Sequence, residues 1–399
     1  MGQRKHRSMR TSAAAALFVV SAAVVVVDTP MAAAQSTAAV DLGLLPGGVD
    51  GWTTAISEND IIVGVSATVR DTHYHAVRWN AEGRIQDLGV LPGGTTSWVT
   101  AVNDHGTVVG FSDNSVGGFH AVRWDRQGRI TDLTPTPGGG SASSINDHDT
   151  VVGLAQTADG QYHAARWDRA GRRTDLGVLP GGTWSEADVI NNTGTAVGQA
   201  GTADAETRAV RWDSSARITD LGTLPGATYS IAVAVNSSGT AVGTAARLGS
   251  WAHAVRWDRA GHITDLGTLA GSISSNGVGV NDQGTVIGYA TLVASGTIHA
   301  VRWDRDGRIV DLGVLPSGTR STAVAINNDG TVVGYANNAA GQPRAVCWNR
   351  AGDITDLGPL GTLSTAATGI NDHGTIIGTA GEPSIAGHPV VWRGTRCAD

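Results

Sequence analysis

Asp265-Leu266-Gly267 opens, and His299-Ala300-Val301-Arg302-Trp303 closes, a stretch whose pattern recurs along almost the whole chain. The Asp-Leu pair stands at Asp41, Asp87, Asp132, Asp175, Asp220, Asp265, Asp311 and Asp356, at steps of 46, 45, 43, 45, 45, 46 and 45 residues. A tryptophan closes each copy, at Trp79, Trp124, Trp167, Trp212, Trp257, Trp303, Trp348 and Trp392. Eight self-similar units of this length dictate a repeat architecture, and local motifs have to be read within it.

Each copy holds four short segments with strand character. An Ile-Thr-Asp-Leu-Gly segment, as at Ile263 to Gly267, leads through a Leu-Pro-Gly-Gly turn, as at Leu91 to Gly94, to an Ala-rich alternating stretch such as Ala323-Val324-Ala325-Ile326-Asn327. Asn103-Asp104-His105-Gly106 then turns into Thr107-Val108-Val109-Gly110, with Gly placed for a positive φ in a tight hairpin. A polar loop precedes His-Ala-Val-Arg-Trp, and an Asp-Arg-x-Gly-Arg hairpin returns to the next Asp-Leu segment.

Four strands per unit, joined by tight antiparallel turns with no helical period, predict an all-β propeller of eight four-stranded antiparallel blades. A leucine-rich or β-helical solenoid is the rival, but its repeats are shorter and lack two hairpins per unit. The Ala-rich strand is expected nearest the axis, because Ala55, Ala101, Ser144, Ala234, Gly279, Ala325 and Gly369 keep one of its positions small. With that strand innermost, Asp41 opens a strand with no blade before it, and the copy ending at Trp392 lacks its outer strand. Pairing the N-terminal strand into the last blade would close the ring and remove its open edges.

The combination of Asp-Leu-Gly, Leu-Pro-Gly-Gly, Ile-Asn-x-x-Gly, Val-Val-Gly and His-Ala-x-x-Trp resembles the HAF repeat family of probable extracellular repeat proteins, over residues 41 to 392. The phenylalanine of the family pattern is Val here in most copies, as at Val77 and Val122, and Val suits a buried strand equally. The resemblance implies export and a repeat scaffold, and supplies no catalytic residues.

The start of the chain reads as an export signal over residues 1–34. Arg4, Lys5, Arg7 and Arg10 precede an apolar run from Ser12 to Val27, and Ala32-Ala33-Ala34 offers a small-residue cleavage site. The expected mature propeller, residues 35–399, carries 24 Arg and no Lys against 34 Asp and Glu. An extracellular monomer is expected, with neither nucleic acid nor a membrane surface as partner, since both demand clustered positive charge. Cys347 stands where copies one to six carry Arg, and Cys397 lies in the tail. A bridge between them and two unpaired thiols are both open on the sequence.

No motif for a cofactor, metal or catalytic group emerges. The recurrent histidines, His75, His120, His163, His253, His299 and His388, fall one per blade, so blade hydrogen bonding explains them better than a metal site that gathers three or four ligands. The Arg before the closing Trp in copies one to six, from Arg78 to Arg302, is expected to pair with the Asp of the outer strand, such as Asp87 or Asp311.

Function is better sought where copies differ. Trp52 and Trp98 occupy one equivalent position just before the inner strand, Trp184 and Tyr229 another, and Trp251 comes from the loop that opens on the same face. Copy four alone adds Glu186 and Asp188. Aromatic platforms beside carboxylates suit a glycan or protein ligand. The evenness of the copies favours a binding scaffold over an enzyme. The alternative is a carbohydrate-active hydrolase or lyase with Glu186 and Asp188 as its acid and base pair.

Overall fold

The computed structural model describes residues 38–399 except 69–72, 117, 136–137, 248–250, 294–295, 382–386, 395–396 and 398–399. The expected export signal lies outside the described residues. Among those described, every regular element is a strand. They form antiparallel four-stranded units, the first being Gly51–Ile56, Ile62–Ala67, Tyr74–Trp79 and Ile85–Asp87. Repeats four and five share one eight-stranded sheet through a single parallel bridge, Thr207 to Tyr229. The last unit consists of Thr365–Ile370, Ile376–Ala380 and His388–Trp392, with Val40–Asp41 as its fourth strand in the register Val40↔Val391.

The apolar core lies between units rather than within them. Val63, Ala76, Leu88 and Leu91 of the first unit and its following loop meet Val99, Val108, Val122 and Trp124 of the second. Leu42, Leu45, Ile62, Val77 and Trp79 meet Ile377 and Val391 of the last. Both sheet faces are therefore covered, which is why Val-Val-Gly and His-Ala-Val-Arg-Trp read as nearly continuous apolar runs. All eight closing tryptophans are fully buried. Cutting one to Ala costs roughly 3–5 kcal/mol in such a setting.

Every inner strand carries a bulge at the same place, the extra residue being Thr54, Thr100, Ser143, Asp188, Val233, Val278, Val324 or Thr368. A bulge sharpens local twist. It also presses an inner-strand carbonyl against the Gly of Val-Val-Gly. A Cβ on Gly243 would overlap the carbonyl of Ile231, and one on Gly110 that of Trp98.

Side chains stitch each unit to the next. The Asn that ends the inner strand accepts an N–H from its own turn through Oδ1, as Asn236 does from Thr240, and donates through Nδ2 to the carbonyl of the next repeat's Asn. The donations run Asn103 to Asn146, then to Asn191, Asn236, Asn281, Asn327 and Asn371, at 2.8–3.2 Å. Asn371 donates to the carbonyl of Ser57 in the first repeat at 3.1 Å. Ser57 is too short to continue the series, and Asn59 Nδ2 donates to Asp104 O at 2.7 Å in its stead. A second series uses the following residue, as where Asp104 N donates to Asp147 Oδ1 and Asp372 N to Glu58 Oε2.

The expected pairing of Arg78 with Asp87 is not what forms. Asp87 lies opposite Val77, and Arg78 opposite Gln86, so Arg78 projects to the other side of the sheet. His75, two residues before Val77, shares the face of Asp87 and meets it at 2.9 Å. His163–Asp175, His253–Asp265, His299–Asp311 and His388–Asp41 repeat the pair. The arginines instead donate to backbone carbonyls of the next repeat, Arg78 to Gly106 and Arg126, Arg211 to Gly239, Asp258 and Arg259. In repeat seven Cys347 takes the place of that Arg and forms a disulfide with Cys397.

Replacing Asn236 with Ala would leave the half-buried Thr240 N–H without its acceptor, at about 1–3 kcal/mol, and would take from the Asn281 carbonyl the donor that crosses the seam, leaving it the Gly284 N–H of its own turn. We expect Asn236→Ala to lower the urea unfolding midpoint clearly. Asn236→Asp should also lose stability, because a carboxylate cannot donate to the carbonyl. Unchanged midpoints in both variants would exclude this role.

Candidate functional site

Strand direction puts the aromatic positions at the start of the inner strands and the Asn turns at their ends, on opposite faces of the molecule. On the first face, Trp52 and Trp98 are each the second residue of their inner strand rather than lying before it. Their rings stand 5.5 Å apart across the seam between repeats one and two. Tyr74, from the third strand of repeat one, packs against both, at 5.4 Å from Trp52 and 5.3 Å from Trp98. Trp98 stacks on Phe111 at 6.3 Å, and Phe111 meets Phe119 edge-on at 5.1 Å. Phe119 is 47% exposed at the open end, and Tyr162, its counterpart in repeat three, is 42% exposed. Tyr74 Oη donates to Asp50 at 2.6 Å, which fixes the first ring of the ladder.

Four of these rings were not singled out from the sequence. Tyr74, Phe119 and Tyr162 share the position five residues before the closing Trp, a regularity visible without coordinates. Phe111 is different, since only the register Trp98↔Phe111 reveals it.

The remaining candidates gather on repeats four and five. Trp184 lies flat against the backbone of Gly201, where a Cβ would overlap its indole. Glu186 is the inner-strand counterpart of Trp52 and Trp98, and Gln199 Nε2 donates to it at 3.4 Å. Asp188 is the bulge residue of its strand. Burial, and then the charge of Glu186, push the Asp188 carboxyl up to about 7. Burial and the charge of Asp188 raise Tyr229 in turn, so that phenol faces the same seam. Trp251 is 64% exposed. It lines a cavity of about 520 Å³ with Leu224, Arg247 and His253, and Tyr229 lines another of about 350 Å³ with Asp204, Glu206 and Arg247. Arg247, which the sequence reading passed over, borders both. No ring contact joins this group to the Trp52 ladder among the described residues.

No protein-family model and no curated protein matches the chain. Solved structures do. The chain is similar to the Dos1 propeller at 11% identity and a TM-score of 0.57, covering 90% of this chain and 95% of that one. It is similar to puromycin hydrolase at 14% identity and a TM-score of 0.51, over 84% of this chain and 59% of the other. The Porphyromonas gingivalis dipeptidyl peptidase 4 follows at 9% identity and 0.52, over 82% and 56%. The chain thus spans less than two thirds of either enzyme. At these identities the likeness speaks to fold alone, and the fold is a β-propeller.

A raised Asp188 gives a pH test with a definite sign. Between the ordinary carboxylate range and about pH 7 the unfolded chain releases the proton while the folded chain keeps it, so stability falls as pH rises through that window. Asp188→Asn has no proton to release. We expect the variant to gain roughly 2–4 kcal/mol relative to wild type on going from pH 4 to pH 7.5, read by chemical denaturation. A difference independent of pH would contradict this reading of the Asp188 surroundings.

Proposed function

We propose that this chain is an exported, HAF-type repeat protein whose eight blades close into a ring and whose aromatic face binds a glycan without cleaving it. Closure is supported by the Val40–Asp41 pairing with the last repeat and by the donation from Asn371 to Ser57. The binding reading rests on the continuous ladder Trp52, Tyr74, Trp98, Phe111 and Phe119, which ends in an exposed ring. Such rings stack on the apolar faces of sugar rings at little cost in side-chain entropy, because they are already held by their neighbours. A core needs no ladder running outward to an exposed end.

A second reading is a hydrolase or lyase centred on Glu186 and Asp188. One observation favours it: a carboxyl held near pH 7 beside a second carboxylate is the arrangement of an acid and base pair. Against it, Glu186 and Asp188 share one strand, whereas paired carboxylates in glycoside hydrolysis flank the bond they cleave.

Calorimetric titration against a panel of soluble polysaccharides separates these readings, with release of reducing ends followed in parallel. We expect at least one polysaccharide to bind without cleavage, and Trp98→Ala to weaken it about tenfold or more while Glu186→Gln leaves it unchanged. Cleavage abolished by Glu186→Gln would instead establish the enzyme. Binding that survives Trp98→Ala undiminished would exclude the ladder as its seat.

A further inference from the structure

On the face opposite the aromatic ladder, the turns of repeats one to three enclose two neighbouring cavities of about 560 and 440 Å³ that share His105 and Arg126. Arg78, Arg84, Arg123, Arg129, His148 and Arg169 complete their cationic lining. This is unexpected in a chain of net charge −7. The two-residue turn that supplies His105 and His148 carries Thr193, Ser238, Gln283 and Asp329 in repeats four to seven, and in repeat eight His373, which stands 3.9 Å from Glu58.

The acids around the cavities are already committed. Asp125 accepts from Arg129 Nε at 2.6 Å and from two backbone N–H groups. Asp147 accepts from Asp104 N and Asn192 Nδ2. Asp149 accepts from Asn103 Nδ2 and Thr107 Oγ1, and Arg169 stands 3.4 Å from it. Arg78 and Arg123 donate to carbonyls of the next repeat and are fixed in place. The side chains of Arg126, His105 and His148, all exposed, have no hydrogen bond or ion pair among the described residues. The Arg126 main chain is nonetheless held, since its carbonyl accepts from Arg78 at 2.8 Å.

We propose that these two adjacent cavities together bind a ligand carrying two or more phosphate or sulfate groups, with Arg126 and His105 at the shared wall and His148 in the larger cavity. A guanidinium offers a planar fork of donors matched to tetrahedral oxyanions, and imidazole adds a directed N–H. Two cavities meeting at one arginine suit two anionic groups on one molecule better than a single ion. The site is independent of the aromatic face, so it stands or falls apart from the glycan reading.

The test is calorimetric titration of the full chain with pyrophosphate and, separately, with a disulfated disaccharide, at low and at physiological salt. We expect binding of at least one probe, weakened by salt. Arg126→Ala should reduce affinity roughly tenfold or more, and His105→Ala with His148→Ala severalfold, with unfolding midpoints retained. Arg259→Ala, at the equivalent turn position of repeat five, should bind like wild type. Binding of pyrophosphate alone assigns a phosphate-bearing ligand, and binding of the disulfated sugar alone a sulfated one. Failure of both probes to bind, or equal losses in Arg126→Ala and Arg259→Ala, would overturn the site.

Discussion

The structure depends on a carboxamide that bonds in two directions. Each inner strand ends in an Asn whose oxygen closes its own turn and whose nitrogen reaches the backbone of the next repeat. A unit of four short strands cannot bury either face by itself, so its stability resides in the seams. Apolar contact is tolerant of small displacements, whereas a buried carbonyl and a single amide N–H must meet within hydrogen-bond distance. The Asn series therefore sets the stagger between neighbouring units, and the tryptophans and valines fill the volume that stagger defines. Where repeat one lacks the Asn, Asn59 supplies the missing donor from two residues further on.

With the seams made by residues near the turns and the middle of the sheet, the opposite rim is free to vary. There, equivalent positions hold Trp52, Trp98, Ser141, Glu186, Ile231, Asn276, Thr322 and Ala366, with no common chemistry. Aromatic side chains in two consecutive repeats meet across a seam and make a ladder, whereas in the fourth repeat burial, and then the charge of Glu186, raise the affinity of Asp188 for a proton. One scaffold thus carries different local chemistries by changing a single residue per unit. The same logic operates on the other face, where one turn position holds His105, His148 and His373 in three repeats and Thr193, Ser238, Gln283 and Asp329 in four others.

Much of this was legible in the chain. The recurrence of Asp-Leu and of the closing Trp gave the unit, and the small residues of the Ala-rich stretch identified the inner strand. That the Gly of Val-Val-Gly lies against an inner-strand carbonyl was not read from the sequence. What could not be read was anything that depends on register between strands. The spacing of Arg78 and Asp87 is compatible with an ion pair until one sees that Gln86, not Asp87, faces the arginine. Nor does alternation along Ser185 to Ile190 disclose that Asp188 is an extra, bulged residue, or that Tyr229 of the next repeat faces it. Cys347 was legible as a departure from Arg, and its partner only as the one other cysteine. Contacts between repeats are invisible to a reading made one repeat at a time, so the meeting of Trp52 with Trp98 was not foreseen, whereas Phe111 was missed because its place beside Trp98 within repeat two depends on strand register.

The central claim is that the last repeat adjoins the first through the same Asn-to-carbonyl bond that links repeats two to eight in series. Spin labels introduced as unnatural amino acids at Asn59 and His373, two exposed turn positions flanking the seam, measure it directly by pulsed electron paramagnetic resonance. The account predicts one short, narrow distance distribution, retained up to the unfolding transition. A long or broad distribution under native conditions would mean that the units run on as an open array, and would contradict it.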